Sequence, residues 1–325
     1  MPADALLYYS LILTNTFLTA LYLVLTSGAM KARHLSPNGS IAVIHLIAAG
    51  VLLPFWLVLA AGHAGGHVAV DGGGLMGLPT LPTLAITGLV LVSVALKLLS
   101  KELQYYAYAH TDVANVTVFS AFVPILGLVS GWALLGETPG TWQVAGTVII
   151  CLAVYVQFVD VGVGGEGRRL WTISTLFSPF GRLAHSRAIQ TGFASIFPPA
   201  VAAVAIKQAA LGWHPLGYAT MASFLIGLGA LGIEAVMHRP GLAAVFRQLL
   251  TGRFLLVGLI FSAAHLSFVL ALSMRDIGPT MALERFSIVF QTLLASVILK
   301  ESTALPKRLI LGLVMIASVL LLEWS

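Results

Sequence analysis

Charged residues are scarce in this chain of 325 residues, because Asp, Glu, Lys and Arg together make up only 9% of it. Soluble domains carry roughly 25% charged residues, so the composition excludes an ordinary soluble protein. Cysteine is almost absent: with Cys151 alone, no internal disulfide can form. The sequence also lacks a metal-ligand cluster, paired catalytic carboxylates on a polar loop and a nucleophile motif, so it predicts no enzyme, metal site or cofactor.

Long apolar runs take the place of the missing charge. Apolar residues make up 58% of the chain, and its mean hydropathy is +0.97. A helix needs about 20 apolar residues to cross a bilayer, so the sequence predicts an all-α integral membrane protein with ten spans. We place these spans approximately at Ala5–Met30, Ser40–Ala61, Thr83–Tyr108, Val113–Leu135, Thr141–Val159, Ala188–Ala209, Gly217–Met237, Phe254–Met274, Thr280–Leu299 and Arg308–Leu322.

The chain repeats itself at an offset of 164 residues. The matching pairs are Ala107 and Ala271, Asp112 and Asp276, Phe122 and Phe286, Leu135 and Leu299, and Glu137 and Glu301. Each half holds five spans, and an odd repeat in tandem must insert with the opposite orientation, so an inverted repeat is expected. The expected division is a first repeat over 1–160, a connecting segment over 161–187 and a second repeat over 188–325.

Basic residues are distributed unequally among the predicted links. Twelve Lys and Arg residues fall on one set of links, and the opposite set holds only Lys207 and Arg275. The positive-inside rule then places both termini outside the cytoplasm. The basic pI of about 9.5 arises from these links, so it indicates orientation in a membrane and not nucleic-acid binding. The connecting segment is flanked by arginines, and we interpret it as an interfacial segment on an anionic leaflet or as a plain loop.

The paired hairpins resemble the drug/metabolite transporter superfamily, and its EamA-type ten-helix branch in particular. The first copy carries the pattern at Tyr106–Asn115, Pro124 and Leu134–Glu137. The second copy departs from it, with Met274–Pro279 in the hairpin and Ile288 in place of the proline. The resemblance implies alternating access of a central cavity lined by helices one to four and six to nine, in a protein of the bacterial inner membrane. Ten-helix members usually keep both termini in the cytoplasm, contrary to the orientation that the charges predict.

Span three carries a polar stripe in an otherwise apolar helix. Lys97, Lys101 and Tyr105 recur every four residues, and Tyr108 continues the same face. A charge at the bilayer centre costs roughly 2.5–3.5 kcal/mol on insertion scales, so such a stripe should face a wet cavity. We predict that these four residues contact substrate. The alternative is that each lysine snorkels to the interface or forms a structural pair.

The second repeat supplies the other candidates. The offset places His265 opposite Lys101, and span nine contains Glu284 and Arg285. Arg offers two parallel donors to a carboxylate or phosphate, whereas Glu284, Glu102 and His265 could take up a proton. A structural histidine and a structural ion pair are the alternatives. Asn15 and Asn115 are further substrate-binding candidates, although polar residues of this kind often only join helices.

Basic candidates outnumber acidic ones, so we expect a secondary transporter of a small anionic or zwitterionic metabolite, with a lipid-linked phosphate as a variant. The expected partners are that substrate and the lipid bilayer, with no nucleic acid. One rival is a proton-coupled exporter of cationic drugs or amines, centred on Glu284 and Glu102. A membrane enzyme acting on lipids is the other rival.

Overall fold

The structure is a computed structural model, and it describes residues 3–33, 36–64, 82–111, 116, 118–159, 173–237, 241–249, 251–298, 310, 312–315 and 317–319. Every regular element within these ranges is helical. The predicted all-α membrane class is therefore confirmed.

The helices follow the apolar runs closely. In the first half they are α1 (Ala3–Arg33), α2 (Pro37–Ala64), α3 (Leu84–His110), a 3₁₀ segment (Val118–Phe122), α4 (Val123–Leu135) and α5 (Thr141–Phe158). In the second half they are α6 (Ile173–Leu183), α7 (Arg187–Ala194), α8 (Phe197–Gly212), α9 (Pro215–Met237), α10 (Gly241–Leu249), α11 (Gly252–Met274), α12 (Ile277–Glu284) and α13 (Phe286–Ile298).

Seven helical stretches among the described residues are long and apolar enough to cross a membrane. The chain is thus an integral, multi-pass membrane protein. A shorter apolar helix covers Thr141–Gln157. The predicted tenth span, Arg308–Leu322, is described only at residue 310 and over 312–315 and 317–319, so ten spans and their inverted arrangement stay predictions.

The described part of predicted span four, Val118–Leu135, can cross a membrane but is not one continuous α-helix. Residues Val118–Phe122 form a 3₁₀ segment, and the α-helix begins only at Val123. Pro124 explains this start, because proline has no backbone N–H and is tolerated in the first turn of a helix but not in its interior.

Span nine is also discontinuous, at the position that the repeat makes equivalent. Helix α12 ends at Glu284, and α13 begins at Phe286, which pairs with Phe122 in the offset. No proline stands here; instead the Arg285 N–H bonds to the Ala282 carbonyl at 3.1 Å, a tight three-residue turn that ends the α-helix. The two copies therefore share an interrupted helix, although different residues produce the interruption.

Span six breaks as well. Helix α7 ends at Ala194, and α8 begins at Phe197, so Pro198 and Pro199 lie in the first turn of the new helix. The proline pair thus lies just after the interruption, because the first turn of a helix is where proline is tolerated. The whole stretch Arg187–Gly212 can still cross a membrane, as predicted for span six.

The chain folds into two compact units that do not follow the sequence halves. Unit 1 comprises Met1–Leu98, Ala202–Arg275 and Phe286–Ser302. Unit 2 comprises Leu99–Val201, Asp276–Arg285 and Thr303–Ser325. Each unit takes segments from both predicted repeats, and the boundaries 1–160, 161–187 and 188–325 remain predictions.

Each unit has its own apolar core. In unit 1, helix α2 packs along α9 and α11, and α1 packs along α11 and α13. In unit 2, α12 packs against α4 and α5, and the 3₁₀ segment packs against α5. An aromatic cluster in unit 2 joins Phe180 of α6 to Phe119, Phe122 and Tyr155.

The connecting segment is partly helical. Helix α6 occupies its second half and ends near Arg182, whereas 160–172 lie outside the described residues. Phe177 is 62% exposed while Phe180 meets the aromatic cluster, so α6 has one packed side and one open apolar side. Its position on an anionic leaflet stays a prediction.

Candidate functional site

Two groups of polar side chains gather the strongest sequence candidates, one in each unit. The Lys101 group comprises Lys101, Glu284 and Arg285 in unit 2. The His265 group comprises Lys97, His45 and His265 in unit 1.

In the Lys101 group, the Lys101 ammonium interacts electrostatically with Glu284 and with Arg285. The Lys101 side chain is exposed, although it lies within an apolar span. Arg285 Nη2 stands 3.8 Å from Glu284 Oε2, at the long end of an ion pair, and the two side chains are 18% and 28% exposed. Two cations against one carboxylate leave this group with a positive excess.

The Arg285 guanidinium keeps a donor available. Its Nε is buried and has no hydrogen-bond partner among the described residues. An arginine donor left unpaired in a buried place normally costs stability, unless a ligand or water accepts from it. The geometry therefore suits an anionic acceptor near Arg285.

The interruption between α12 and α13 places both Glu284 and Arg285 at a helix end. Helix α12 is eight residues long, too short to hold its position by local propensity. Its beginning is held by Glu137, whose Oε2 accepts a hydrogen bond from the Ile277 N–H at 3.0 Å. A carboxylate at this place also meets the positive end of the helix dipole.

The Leu135-Gly136-Glu137 motif makes this contact possible. Gly136 has φ +68°, a left-handed conformation that ends α4 and that side-chain-bearing residues rarely adopt. The turn brings Glu137 back beside Gly131, where a side chain would collide with the carboxylate. Glu137 thus positions α12, which accords with the structural role that its place in the turn suggests. Glu301, its repeat counterpart, lies outside the described residues.

The neighbour of Lys101 secures another helix interruption in unit 2. Ser100 Oγ donates to the Ser195 carbonyl at 2.9 Å, at the break between α7 and α8. Proline residues 198 and 199 cannot supply backbone donors there. The hydroxyl therefore satisfies a buried carbonyl that the break would otherwise leave unpaired.

The His265 group is buried among aromatic rings of unit 1. The His265 ring stacks on Phe261 with 5.7 Å between centroids and 6° between planes, and the His45 ring contacts the same Phe261 at 4.6 Å. His265 is 7% exposed, and its Nε2 has no hydrogen-bond partner among the described residues. The electrostatic neighbours of His265 are Lys97, which is half-buried, and His45, so its surroundings are basic.

Ser93 and Tyr218 lie beside the His265 group. Tyr218 is fully buried, lies 2.9 Å from Ser93 through its Oη, and has its ring 6.5 Å from His265. Ser93, four residues before Lys97 on α3, therefore joins two helices and does not line a wet cavity. The exposure of the polar side chains increases along α3, from buried at Ser93 to exposed at Lys101.

The remaining sequence candidates are dispersed. Asn15 is 3% exposed in unit 1; its Oδ1 accepts from Thr19 at 3.2 Å, and its Nδ2 has no partner among the described residues. Tyr105 is half-buried on α3. The side chain of Tyr108 and all of Asn115 lie outside the described residues.

Glu102 is half-buried on α3, and its buried Oε1 has no hydrogen-bond partner in the described part of the chain. It belongs to unit 2, like the Lys101 group. A carboxyl oxygen of this kind is available to a proton or to a cationic ligand.

One buried carboxylate is not among the site residues predicted from the sequence. Glu234 of α9 is 2% exposed and accepts from Ser36 Oγ at 2.6 Å in unit 1. Ser36 also accepts from the Gly39 N–H at 2.9 Å, so Glu234 holds the residue that begins α2. A single acid inside an apolar run is the signal that could have marked it.

Lys207 and Gln190 have structural contacts. Lys207 Nζ donates to the Arg275 carbonyl at 2.9 Å, at the end of α11, and both residues belong to unit 1. Gln190 Nε2 donates to the Leu183 carbonyl at 3.0 Å and ties α7 to the end of α6. Both contacts satisfy carbonyl oxygens at a helix end.

Comparison with known proteins supports the membrane-transport interpretation. Residues 6–159 match the model of the EamA-like transporter family. No curated protein matches the chain in sequence. One solved structure, described only as a crystal structure of a protein, resembles it with a TM-score of 0.65 at 14% identity, over 99% of this chain and 96% of the other. At that identity the likeness shows the fold alone.

Proposed function

We propose that this protein, whose residues 6–159 match the model of the EamA-like transporter family, moves a small anionic or zwitterionic metabolite across a membrane. The mechanism that the family resemblance implies is alternating access through a central cavity. The observation that carries the choice of substrate is the Lys101 group, where one carboxylate faces an exposed lysine and an arginine whose Nε has no partner among the described residues.

The cost of charge in a membrane supports a binding role for Lys101. A lysine within a span costs roughly 2.5–3.5 kcal/mol on insertion scales, unless water, a partner or a ligand meets it. In the Lys101 group, Glu284 is the one carboxylate near the Lys101 ammonium, and the same carboxylate also pairs with Arg285. The group therefore gains most from a ligand that brings a second negative charge.

Arginine geometry favours a planar or tetrahedral oxyanion. A guanidinium offers parallel donors to a carboxylate or phosphate, and Arg285 Nε has no acceptor among the described residues. Glu284 would meet the ammonium group of a zwitterion. A lipid-linked phosphate is a variant of the same proposal, with its phosphate at these cations.

The His265 group also favours a negatively charged substrate. Its electrostatic neighbours are basic, and His265 Nε2 is buried without a partner in the described part of the chain. We propose that His265 and Lys97 contact substrate or carry a proton during transport. Tyr105, Tyr108, Asn15 and Asn115 remain proposed substrate contacts.

A second candidate function is proton-coupled export of cationic drugs or amines. The observation that favours it is the buried Oε1 of Glu102, which has no hydrogen-bond partner among the described residues. Glu102 and Glu284 would then bind a proton and a cation in turn.

Uptake into vesicles separates the two functions. Purified protein in proteoliposomes would receive radiolabelled amino acids, organic acids, sugar phosphates and quaternary amines, one at a time. We expect uptake of an anion or zwitterion by the native protein and its loss in Lys101→Gln, with Lys207→Gln as the matched control. Uptake confined to amines, and abolished by Glu102→Gln, would reject the anionic substrate.

A further inference from the structure

Unit 1 contains a cavity of about 330 Å³ between α2 and α9. Its walls are apolar, with Leu46, Gly50 and Leu53 on the α2 side and Met221 and Phe224 on the α9 side. Among the described residues that line it, none carries a charge. We call this cavity the α2–α9 slot; its size falls at the lower end of the roughly 300–1,000 Å³ typical of ligand sites.

The slot is open on one side through residues that a membrane-spanning helix presents outward. Leu53, Met221 and Phe224 are 42%, 36% and 43% exposed. They lie in two of the stretches that can cross a membrane, Pro37–Ala61 and Pro215–Met237. An exposed apolar surface on such helices meets lipid chains and not water.

The length of the slot matches one leaflet. From Leu46 to Trp56 the helix advances about 15 Å, at roughly 1.5 Å per residue. The hydrocarbon core of a bilayer is about 30 Å thick, so the slot covers about half of it. A chain anchored at one interface would therefore fill the slot without crossing the midplane.

Two tryptophans mark the interfacial end. The Trp56 and Trp213 rings meet edge to face with 6.0 Å between centroids, and Trp213 stands in the connection just before α9 begins. Trp56 Nε1 is buried without a hydrogen-bond partner among the described residues. A Cβ added at Gly217 would lie 3.1 Å from Trp56 Nε1, so the indole N–H borders the slot. Tryptophan side chains favour this depth because one end is apolar and the other donates a hydrogen bond.

The size of the slot decides between possible occupants. A helix about 10 Å in diameter would occupy roughly 1,200 Å³ over a length of about 15 Å, more than the roughly 750 Å³ of space that no atom occupies in and around the slot. A helix of a second copy therefore cannot enter it, whereas a chain one methylene wide can. Because the described lining residues carry no charge, the slot is also unsuited to binding an oxyanion.

We propose that the α2–α9 slot binds one acyl chain of a bilayer phospholipid, with Trp56 Nε1 donating to the ester carbonyl. The slot shares no lining residue with the Lys101 group, and this proposal does not depend on the identity of the transported molecule. Pro54 contributes to it, because it has no N–H to offer the Gly50 carbonyl and so loosens α2 beside the slot.

Quenching of tryptophan fluorescence by a brominated phospholipid tests the proposal. The full chain would carry Phe in place of Trp132, Trp142, Trp171 and Trp324, so that Trp56 and Trp213 report alone. We would titrate phosphatidylcholine brominated in its acyl chains into the delipidated protein in detergent. The expected result is saturable quenching at one lipid per chain, reversed by unbrominated phosphatidylcholine.

Two glycines supply a matched pair of variants. A Cβ at Gly50 or at Gly232 meets nothing within 4 Å, but only Gly50 lines the slot. Gly50→Leu should abolish the saturable phase, and Gly232→Leu should leave it intact. If Gly50→Leu fails to assemble as judged by gel filtration, Met221→Phe narrows the slot from the α9 side and should have the same effect.

Three results would overturn the proposal. Quenching that rises linearly with lipid, and equally in the Gly50 and Gly232 variants, would show non-selective contact. Reversal by a polyprenyl phosphate but not by phosphatidylcholine would assign the slot to a lipid-linked substrate. Quenching that disappears as the protein dimerises would assign the surface to a second copy. Loss of uptake in Lys101→Gln with intact lipid binding would leave this proposal untouched, so the two proposals can fail separately.

Discussion

Removing the Glu137 carboxylate should release helix α12 from its place in unit 2. A hydrogen bond to a charged group contributes roughly 1.5–3 kcal/mol, and a charge at a helix N-terminus adds about 0.3–1 kcal/mol. Glu137→Ala should therefore weaken the docking of α12 by about 2–4 kcal/mol. At about 1.4 kcal/mol per tenfold, the undocked population would rise roughly 30- to 700-fold.

Hydrogen–deuterium exchange of the native protein and its variants in nanodiscs measures this population directly. The peptide that contains Ile277–Leu283 should exchange faster in Glu137→Ala. Glu137→Gln keeps an acceptor oxygen but loses the charge, so its exchange should be intermediate. Gln143→Ala is the control, because Gln143 Oε1 accepts from the Gly140 N–H at 3.1 Å in the same turn.

Equal protection of the Ile277–Leu283 peptide in Glu137→Ala and in the native protein would refute the role of Glu137 in holding α12. Equal acceleration in Gln143→Ala would also refute it, because the effect would then come from a loosened turn. A difference confined to Glu137→Ala and Glu137→Gln is what the 3.0 Å contact between Glu137 Oε2 and the Ile277 N–H requires.

Two further predictions follow from close packing and from the charge distribution. Gly278→Ala should lower the melting temperature, at a cost of roughly 1–3 kcal/mol of stability, because the added Cβ would lie 2.6 Å from Leu128 Cβ and 3.0 Å from its Cα. Gly232→Ala is the control, since a Cβ there meets nothing within 4 Å. Equal melting temperatures of the two variants would count against this packing. Single cysteines at Arg182 and Gly66, in a cysteine-free background, should react with impermeant reagents from the cytoplasmic and the outer side respectively. Labelling of both from one side would reject the predicted orientation.

The helices were predictable where the chain is uniformly apolar. Predicted span three, Thr83–Tyr108, differs from α3 by one or two residues at each end, because length and hydropathy alone set the ends of such a helix. The break at Pro198 and Pro199 was also predictable, since proline acts locally.

The interruptions at Phe122 and at Glu284–Arg285 were not predictable in the same way. Near Phe122 the local signal is Pro124, which marks where the α-helix begins but does not dictate a 3₁₀ conformation for the residues before it. In the second copy Ile288 replaces that proline, so no local signal remains. The repeat itself was the best guide, because its offset relates the two interruptions.

The candidate site was predictable by residue type but not by grouping. Lys97 and Lys101 were found because a charge in an apolar span is conspicuous, yet their different surroundings came only from the structure. The contact between Glu137 and Ile277 joins residues 140 positions apart, and Ser36 reaches Glu234 across 198 positions. Long-range contacts of this kind depend on tertiary packing, which a single sequence does not display.

The central claim is that the Lys101 group binds an anion, and a thermal-shift screen tests it most directly. The purified native protein, Lys101→Gln and Lys207→Gln would each be melted with amino acids, organic acids, sugar phosphates, nucleotide sugars, polyprenyl phosphates and quaternary amines. A ligand that binds only the folded state raises the melting temperature by mass action. The account predicts a rise with an anion or zwitterion in the native protein and in Lys207→Gln, and none in Lys101→Gln. An equal rise in all three proteins, or a rise with amines alone, would contradict it.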